Sequence, residues 1–286
     1  MHTAPLPTLR AAAVSTPPAF QRTTGALNLA FACAGRGAAP IRLHQDGALK
    51  VRLPTVHGDE ARQAIIINTA GGLTGGDRLE IDVSLDAGAR LTVSGQACEK
   101  LYKSSAGDAV LTTSLTLGEG SCLEWLMQPA ILFDQARFAR RIAVDMAADS
   151  ALLAVEAMVF GRTAMKEEVL AGYVSDSWRV RRAGALVYAD AFRLDGAVRG
   201  ALDRPSVLAG NRGHASILYI APDAEARCAE MRDIMADLHG CVAAVSAWNG
   251  LLSARIVAPD GYNLTRGLID LLTRFRNTEL PRPWMI

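Results

Sequence analysis

The sequence predicts a mainly β fold of stacked, solenoid-like or sandwich-like strands, with two α-helices in its C-terminal half. Three observations predict it. Residues 64–194 contain short alternating or apolar runs separated by Gly, Asp and Ser. A weak repeat follows these strands, and two later segments change to helical spacing. With 286 residues, half of them hydrophobic, we expect one main domain over residues 21–286.

The repeat relates three pairs of strands. Leu91, Leu123 and Leu152 are 32 and then 29 residues apart. The residues six, eight and ten positions earlier then align as Leu85, Val83 and Ile81; Leu117, Leu115 and Thr113; and Met146, Val144 and Ile142. Each unit is an alternating strand, a tight connection and a second strand, a hairpin-like element that must stack on a neighbour. Alternatively, a meander of equal strands gives this register by chance.

Two segments near the end of the chain predict helices near residues 223–239 and 262–277. Apolar residues recur there at steps of three and four. In the first segment Asp223 is placed as the N-cap and Gly240 as the C-terminal stop. The prolines that follow the second segment lack an amide donor and cannot continue a helix.

Charge and cysteine usage exclude several classes of protein. The formal net charge of +1 gives no global attraction to nucleic acid or to an anionic membrane. No apolar run is long enough to span a bilayer, and residues 1–20 resemble a mobile arm rather than an export signal. Five scattered cysteines without CxxC spacing indicate neither a disulfide framework nor a zinc ribbon. We therefore expect a cytoplasmic protein.

The loop "NTAGGLTGGDRLEIDV" at residues 68–83 is not a phosphate-binding loop. It lacks the Lys and hydroxyl residue of GxxxxGK[ST], and Asp77 would repel a phosphate. The chain also lacks a GxGxxG fingerprint and a GxSxG nucleophile elbow. Its five histidines are dispersed, so each is expected to be structural or solvated. These patterns favour a protein without catalytic activity.

Carboxylates inside apolar runs are the more informative signal. Glu124 in "CLEWLM" and Glu156 in "LLAVEAMVF" alternate with large apolar residues, and a buried unpaired carboxylate is costly. Either both lie on the solvated face of their strands, or they converge with Asp77, Arg162 and Asp190 on an internal polar channel. Such a channel suits a divalent cation in passage, because oxygen ligands bind nickel less tightly than imidazole or thiolate.

Five motifs in this order resemble the UreD/UreH family of urease accessory proteins, and the match covers nearly all of the chain after residue 20. The motifs are "NTAGGLTGGDRL" (68–79), "EKLYKS" (99–104), "LEWLMQPAILFDQA" (123–136), "FGRTAMKE" (160–167) and "LPRPW" (280–284).

The resemblance implies a non-enzymatic maturation factor. Such a factor joins a UreF-type partner and a nickel-carrying UreG-type GTPase and docks them on apo-urease. It implies a β-solenoid-like fold with two helices and an internal, water-filled polar tunnel for nickel. The matching tunnel positions are Asp77, Glu156, Arg162 and Asp190. No cofactor is expected to bind tightly. Nickel is expected to bind only transiently, with Asp77 and Glu156 as its ligands.

Two departures from the family pattern concern the tunnel lining rather than the function. Arg78 stands where some members carry a second acid, and Glu99 where some relatives carry a small polar residue.

Other motif residues are expected to build the framework. The glycines of the loop are predicted to supply positive-φ turns and close backbone approach that fix Asp77 at the start of a strand; alternatively the loop is only a turn. These glycines are Gly71, Gly72, Gly75 and Gly76. We predict that four further motif residues belong first to the core and hydrogen-bond framework, and second to a partner surface: Lys100, Tyr102, Trp125 and Gln128.

Two other classes of protein are weighed against the maturation factor. A β-solenoid carbohydrate-active enzyme would use paired carboxylates, for which Glu124 and Glu156 are the candidates. A metal-storage protein would require histidine and cysteine clusters, which the sequence lacks.

Overall fold

The computed structural model describes residues 21–35, 37–55, 61–162 and 165–285. The predicted arm over residues 1–20 lies outside the described residues. From the N-terminus, the strands are β1 (Thr24–Ala34), β2 (Gly37–Gly47), β3 (Leu49–Arg52), β4 (Arg62–Asn68), β5 (Arg78–Leu85), β6 (Arg90–Gly95), β7 (Glu99–Leu101), β8 (Ala109–Leu117), β9 (Cys122–Leu126), β10 (Ala130–Leu132), β11 (Arg137–Met146), β12 (Ala151–Phe160), β13 (Gly172–Arg182), β14 (Ala185–Gly196), β15 (Gly213–Ile220), β16 (Val242–Trp248) and β17 (Leu251–Ala258). The helices are α1 (Val198–Leu202), α2 (Cys228–Ala236) and α3 (Gly261–Arg276).

These strands form two sheets with parallel centres and antiparallel edges. Sheet A has the order β14-β13-β11-β8-β5-β1-β2. Sheet B has the main order β16-β17-β15-β12-β9-β6-β4-β3, with β7 and β10 paired beside it. One apolar core contains the inward side chains of both sheets. A second core joins the opposite face of sheet B to α2 and α3.

The predicted repeat is confirmed residue by residue. In sheet A, Leu117 pairs with both Leu85 and Met146. In sheet B, Leu123 pairs with both Leu91 and Leu152. Equivalent residues therefore stack in columns through successive coils, which is the arrangement of a β-solenoid.

The prediction of a hairpin-like unit was wrong in one respect. The two strands of each unit do not pair with each other; β5 lies in sheet A and β6 in sheet B. A short third side closes each coil, where β7 and β10 pair in parallel and the isolated bridge partner of Leu101 is Leu73. Alternation predicts a half-buried strand, but it does not say whether its partner is the next strand or one a full coil away.

Thr113 interrupts an apolar column of the core. It pairs with Ile81 on β5 and with Ile142 on β11, and it is only 1% exposed. Among the described residues its hydroxyl oxygen is the buried side-chain polar atom without a hydrogen-bond partner. A buried hydroxyl that has lost water without gaining a partner destabilises the folded state.

We therefore expect Thr113→Val to increase the free energy of unfolding by about 1 kcal/mol. Valine has nearly the same shape and leaves no polar atom unpaired. Urea unfolding of both proteins measures the difference, and Thr116→Val, at an exposed position of the same strand, is the control. An unchanged or lower stability for Thr113→Val would contradict the interpretation.

The two predicted helices are confirmed as α2 and α3, with differences at both ends of α2, which ends at Ala236 with Asp237 as its C-cap rather than at Gly240. Asp223 does not cap α2, because its carboxylate accepts a hydrogen bond from the Tyr219 hydroxyl (2.7 Å) and turns precede Cys228. In α3 the Asp260 side chain accepts from the backbone N–H of Asn263, as an N-cap does. The short helix α1 was not predicted. Within the described residues, no helix is long and apolar enough to cross a membrane.

Candidate functional site

Three ionisable side chains meet in the apolar core between the two sheets. Arg140 on β11 donates from Nη2 and Nε to the Asp176 carboxylate on β13, at 2.6 and 3.1 Å. Its Nη1 donates to Glu156 on β12. The indole N–H of Trp125 donates to the other Glu156 oxygen at 2.8 Å. All four residues are at least nine-tenths buried, so every polar group of this cluster depends on its partners.

The local register explains why the sequence brings these groups together. Arg140 and Asp176 are direct neighbours on the parallel strands β11 and β13. Glu156 lies on the same face of β12 as Ala154 and Met158, whose side chains pack in the core between the sheets. The two sheets therefore present their charges to each other across this core.

Burial and the neighbouring charges act in opposite directions on the pKa values of Arg140 and Glu156. Burial by itself lowers the pKa of Arg140, but the charges of Asp176 and Glu156 outweigh burial and raise it, so the guanidinium stays protonated. Burial raises the pKa of Glu156, and the charge of Arg140 opposes that rise. Two carboxylates thus share one guanidinium.

The cluster continues towards the edge of the sheets through three more residues. Arg255 on β17 donates from Nη2 to Asp190 on β14 at 2.5 Å, and its Nη1 lies 3.4 Å from Nε2 of His214 on β15. The imidazole stacks on Phe192, with ring centroids 5.1 Å apart. Burial first, and then the charge of Arg255, lowers the pKa of His214 to about 4, so the ring is neutral at physiological pH.

We call this set of residues the inter-sheet polar row: Glu156, Arg140, Asp176, His214, Arg255 and Asp190. Its inner end is buried, whereas at its outer end the Arg255 side chain is 43% exposed. The charges of Asp176, Asp190 and Arg140 all act on the His214 imidazole, so the two halves of the row are electrostatic neighbours.

A cavity of about 180 Å³ lies beside the inner end of the row. Glu156, Arg140 and Trp125 belong to its lining, together with apolar side chains from the first coils. The lining also includes Gly71 and Lys100, which are exposed to solvent. The lining therefore extends from the charged cluster to residues of the "NTAGGLTGGDRL" and "EKLYKS" motifs.

Of the five residues predicted to converge on a channel, the structure brings Glu156 and Asp190 into one row. Asp77 instead accepts hydrogen bonds from the backbone N–H groups of Thr23 and Thr74, both at 2.8 Å. Arg162 lies at the surface, where its guanidinium pairs with Glu167.

Glu124, the fifth of these residues, lies on the opposite face of sheet B from Glu156. Its neighbour on β12 is Leu153, which packs in the core beneath the helices. Two bonds from Arg276 at 2.8 Å hold its carboxylate. Because the sheet separates Glu124 from Glu156, they do not flank a common substrate bond, and the paired carboxylates proposed for a carbohydrate-active enzyme are not formed.

Sequence reasoning missed the central residue of the site, Arg140, although a signal was present. The repeat places Arg140 in one column with Leu79 and Leu111, and these three residues are paired across β5, β8 and β11. An arginine where two coils carry leucine indicates a buried charge that needs partners. No comparable local signal identifies Asp176, His214 or Arg255.

The glycine loop shapes the start of β5. Gly71, Gly72 and Gly76 have positive φ angles. Gly75 does not, but a Cβ there would lie 1.8 Å from the Ser104 hydroxyl oxygen, so only glycine fits. The loop thereby holds Asp77 in the position where it caps the backbone of Thr74.

The residues predicted as framework or partner surface divide between the two roles. Trp125 is buried, and the Gln128 side-chain amide donates to the carbonyl of Pro283 at 2.6 Å. Lys100 and Tyr102 are exposed, and the Tyr102 ring stacks on Phe133 with centroids 5.1 Å apart. Within residues 21–35, 37–55, 61–162 and 165–285, no group of three or more metal-ligating side chains occurs.

Comparison with known proteins shows the family. The profile of the UreD urease accessory protein family matches residues 23–285. A urease accessory protein UreD from Azorhizobium caulinodans is 43% identical over 269 residues, which cover 94% of this chain and 98% of the relative. Another, from Rhizobium leguminosarum bv. viciae, is 44% identical over 243 residues, covering 85% and 88% respectively.

This chain belongs to the UreD family of urease accessory proteins. Its role is therefore in urease maturation. Residues 23–285 include every member of the inter-sheet polar row, so the site lies within the part of the UreD-family chain that the profile covers.

Proposed function

We propose that this UreD-family chain is a non-catalytic nickel-insertion factor of the cytoplasm. It joins a UreF-type partner and a UreG-type GTPase, docks them on apo-urease and passes nickel between its two sheets. The observation that supports the proposal is the inter-sheet polar row with its adjoining cavity, because together they place charged groups inside an otherwise apolar core, from the buried Glu156 to the partly exposed Arg255.

The charges of the row suit a cation in passage. Its three carboxyl groups outnumber its two guanidiniums, and carboxyl oxygens are ligands for a cation rather than for an anion. Carboxylate oxygens bind nickel weakly enough to let it move on. The five cysteines are free thiols, as expected for a reducing compartment.

Protein partners are supported by the unprotected edge of sheet B at β16. The other three edges of the described sheets carry features that discourage pairing: β2 contains Pro40 and Arg42, β14 contains Asp190 and Arg193, and β3 is only four residues long. β16 has seven residues without charge, proline or bulge. Val242 and Trp248 at its two ends are exposed, which is typical of an interaction surface.

The test is urease activation in a host whose urease operon lacks only its own gene of this family, supplied with the cognate partners. Glu156→Gln replaces the carboxyl group with an amide of nearly the same size, which cannot carry a negative charge. We expect the accessory complex to assemble while the nickel content of urease falls about tenfold, because Glu156 orders the inner end of the row. Glu80→Gln, on an exposed position of β5, is the matched control and should behave like wild type.

Two results would contradict the proposal. Full nickel content with Glu156→Gln would mean that the row does not conduct the metal. Failure of the complex to assemble would mean that Glu156 is structural.

A further inference from the structure

The outer end of the inter-sheet polar row is a guanidinium held between two metal-binding groups. Arg255 donates to the Asp190 carboxylate at 2.5 Å and its other terminal nitrogen lies 3.4 Å from His214 Nε2. The Arg255 side chain is 43% exposed and that of Asp190 19%, whereas His214 is buried. The Arg255 side chain can therefore rotate into solvent without disturbing the core, whereas the buried His214 imidazole cannot.

The contact with Arg255 fixes the state of His214. A guanidinium has only N–H donors and no acceptor, so Nε2 must be the hydrogen-bond acceptor in this contact. The lone pair of His214 Nε2 is therefore directed at Arg255. Stacking on Phe192 and the position of His214 within β15 keep the ring in this orientation.

One imidazole nitrogen and one carboxylate thus face the same cationic group. Imidazole and carboxylate together are ligands for borderline divalent cations, and a chelated cation needs the same positions that the guanidinium occupies. Asp190 and Arg255 also form the part of the row that reaches solvent, where a hydrated cation first meets or last leaves the protein.

We propose that Asp190 and His214 form a transient two-ligand nickel site, and that the guanidinium of Arg255 occupies it until a hydrated cation displaces this side chain into solvent. The identity of the cation rests on the proposed function. Water completes the coordination shell, since only two protein ligands are available. Two ligands and a competing cation make the site weak, which suits transfer rather than storage.

The displacement mechanism makes an unusual prediction, because removal of a side chain should strengthen binding. We expect the full chain carrying Arg255→Met to bind Ni²⁺ at least about tenfold more tightly than wild type, since the metal no longer competes with a charge-assisted hydrogen bond. Isothermal titration of the purified chain with Ni²⁺ measures this. Adding His214→Gln to Arg255→Met should remove the gain.

The control is Arg193→Met on the same strand as Asp190. Arg193 is exposed and pairs with Asp195 at 3.4 Å, so its removal changes the net charge equally without opening the site. Circular dichroism checks that each variant is folded, and Arg255→Gln replaces Arg255→Met if that protein does not fold. Histidines elsewhere are identical in all variants and cancel in the comparison.

Either of two outcomes would overturn the inference. One is Ni²⁺ binding by the Arg255 variant that is no tighter than that of wild type or of Arg193→Met. The other is tight binding that survives the addition of His214→Gln. Because the titration uses no urease, tight binding by Arg255→Met together with normal urease activation by Glu156→Gln would establish the site and reject the conduit.

Discussion

Replacement of Arg140 by leucine is expected to lower the free energy of unfolding by about 3–5 kcal/mol, because it leaves buried charges without a partner. Arg140 is the cation between Glu156 and Asp176, and all three are at least nine-tenths buried. Leucine fills part of the volume, as in the preceding coils, but it cannot bond either carboxylate. The remaining donor to Glu156 is the indole N–H of Trp125.

Urea unfolding at neutral pH measures this loss, with Arg137→Leu as the control. Arg137 lies on the same strand and pairs with Asp108 at 2.7 Å, but both side chains are about a third or more exposed. Such a surface pair contributes at most about 1 kcal/mol. The difference in free energy of unfolding between wild type and Arg140→Leu should become smaller at acid pH, where protonation of the carboxylates removes the unpaired charges. Equal losses for the two variants would contradict the importance of burial.

Trp284→Ala is expected to lower the free energy of unfolding by a similar amount, about 3–5 kcal/mol. Trp284 is 3% exposed and packs in the core between sheet B and the helices. Its indole N–H lies 3.1 Å from the Ser94 hydroxyl and 3.2 Å from the Leu126 carbonyl. Alanine leaves a cavity and removes the donor, so the closing "LPRPW" segment loses its attachment to β6 and β9.

The adjacent residue provides the control for this prediction. Met285 is 63% exposed, so Met285→Ala should change the stability by no more than about 0.5 kcal/mol. Trp284→Phe keeps most of the apolar volume but loses the hydrogen bonds, and its stability should lie between those of wild type and Trp284→Ala. Chemical unfolding monitored by far-ultraviolet circular dichroism compares the three variants, and equal stability of Trp284→Ala and Met285→Ala would show that this segment does not hold the chain end.

The repeat made the solenoid predictable to the level of single pairs. Leu91, Leu123 and Leu152 align because each coil must present an apolar side chain at the same height, and stacking of coils turns that requirement into a period. The helices α2 and α3 were predictable for a similar local reason. The start of α2 was less predictable, because the Asp223 carboxylate accepts a hydrogen bond from the Tyr219 hydroxyl instead of capping the helix.

The site was harder to predict because its partners are distant in sequence. Arg140 lies 16 residues from Glu156 and 36 from Asp176, while Arg255 lies 65 residues from Asp190. Strand alternation limits a side chain to one of two faces, but it does not identify the residues across the core.

The sequence by itself determined the central strands between residues 64 and 160, their register from coil to coil, the two main helices and the motifs of the UreD family, because these depend on local spacing. Only the tertiary structure decided which carboxylates are buried. Glu124 and Glu156 follow the same alternating pattern, yet Glu156 faces Arg140 across the core and Glu124 faces Arg276 on the other side of the sheet. The reason is that a charge can be buried only where folding supplies its counter-charge, and here each one comes from another part of the chain.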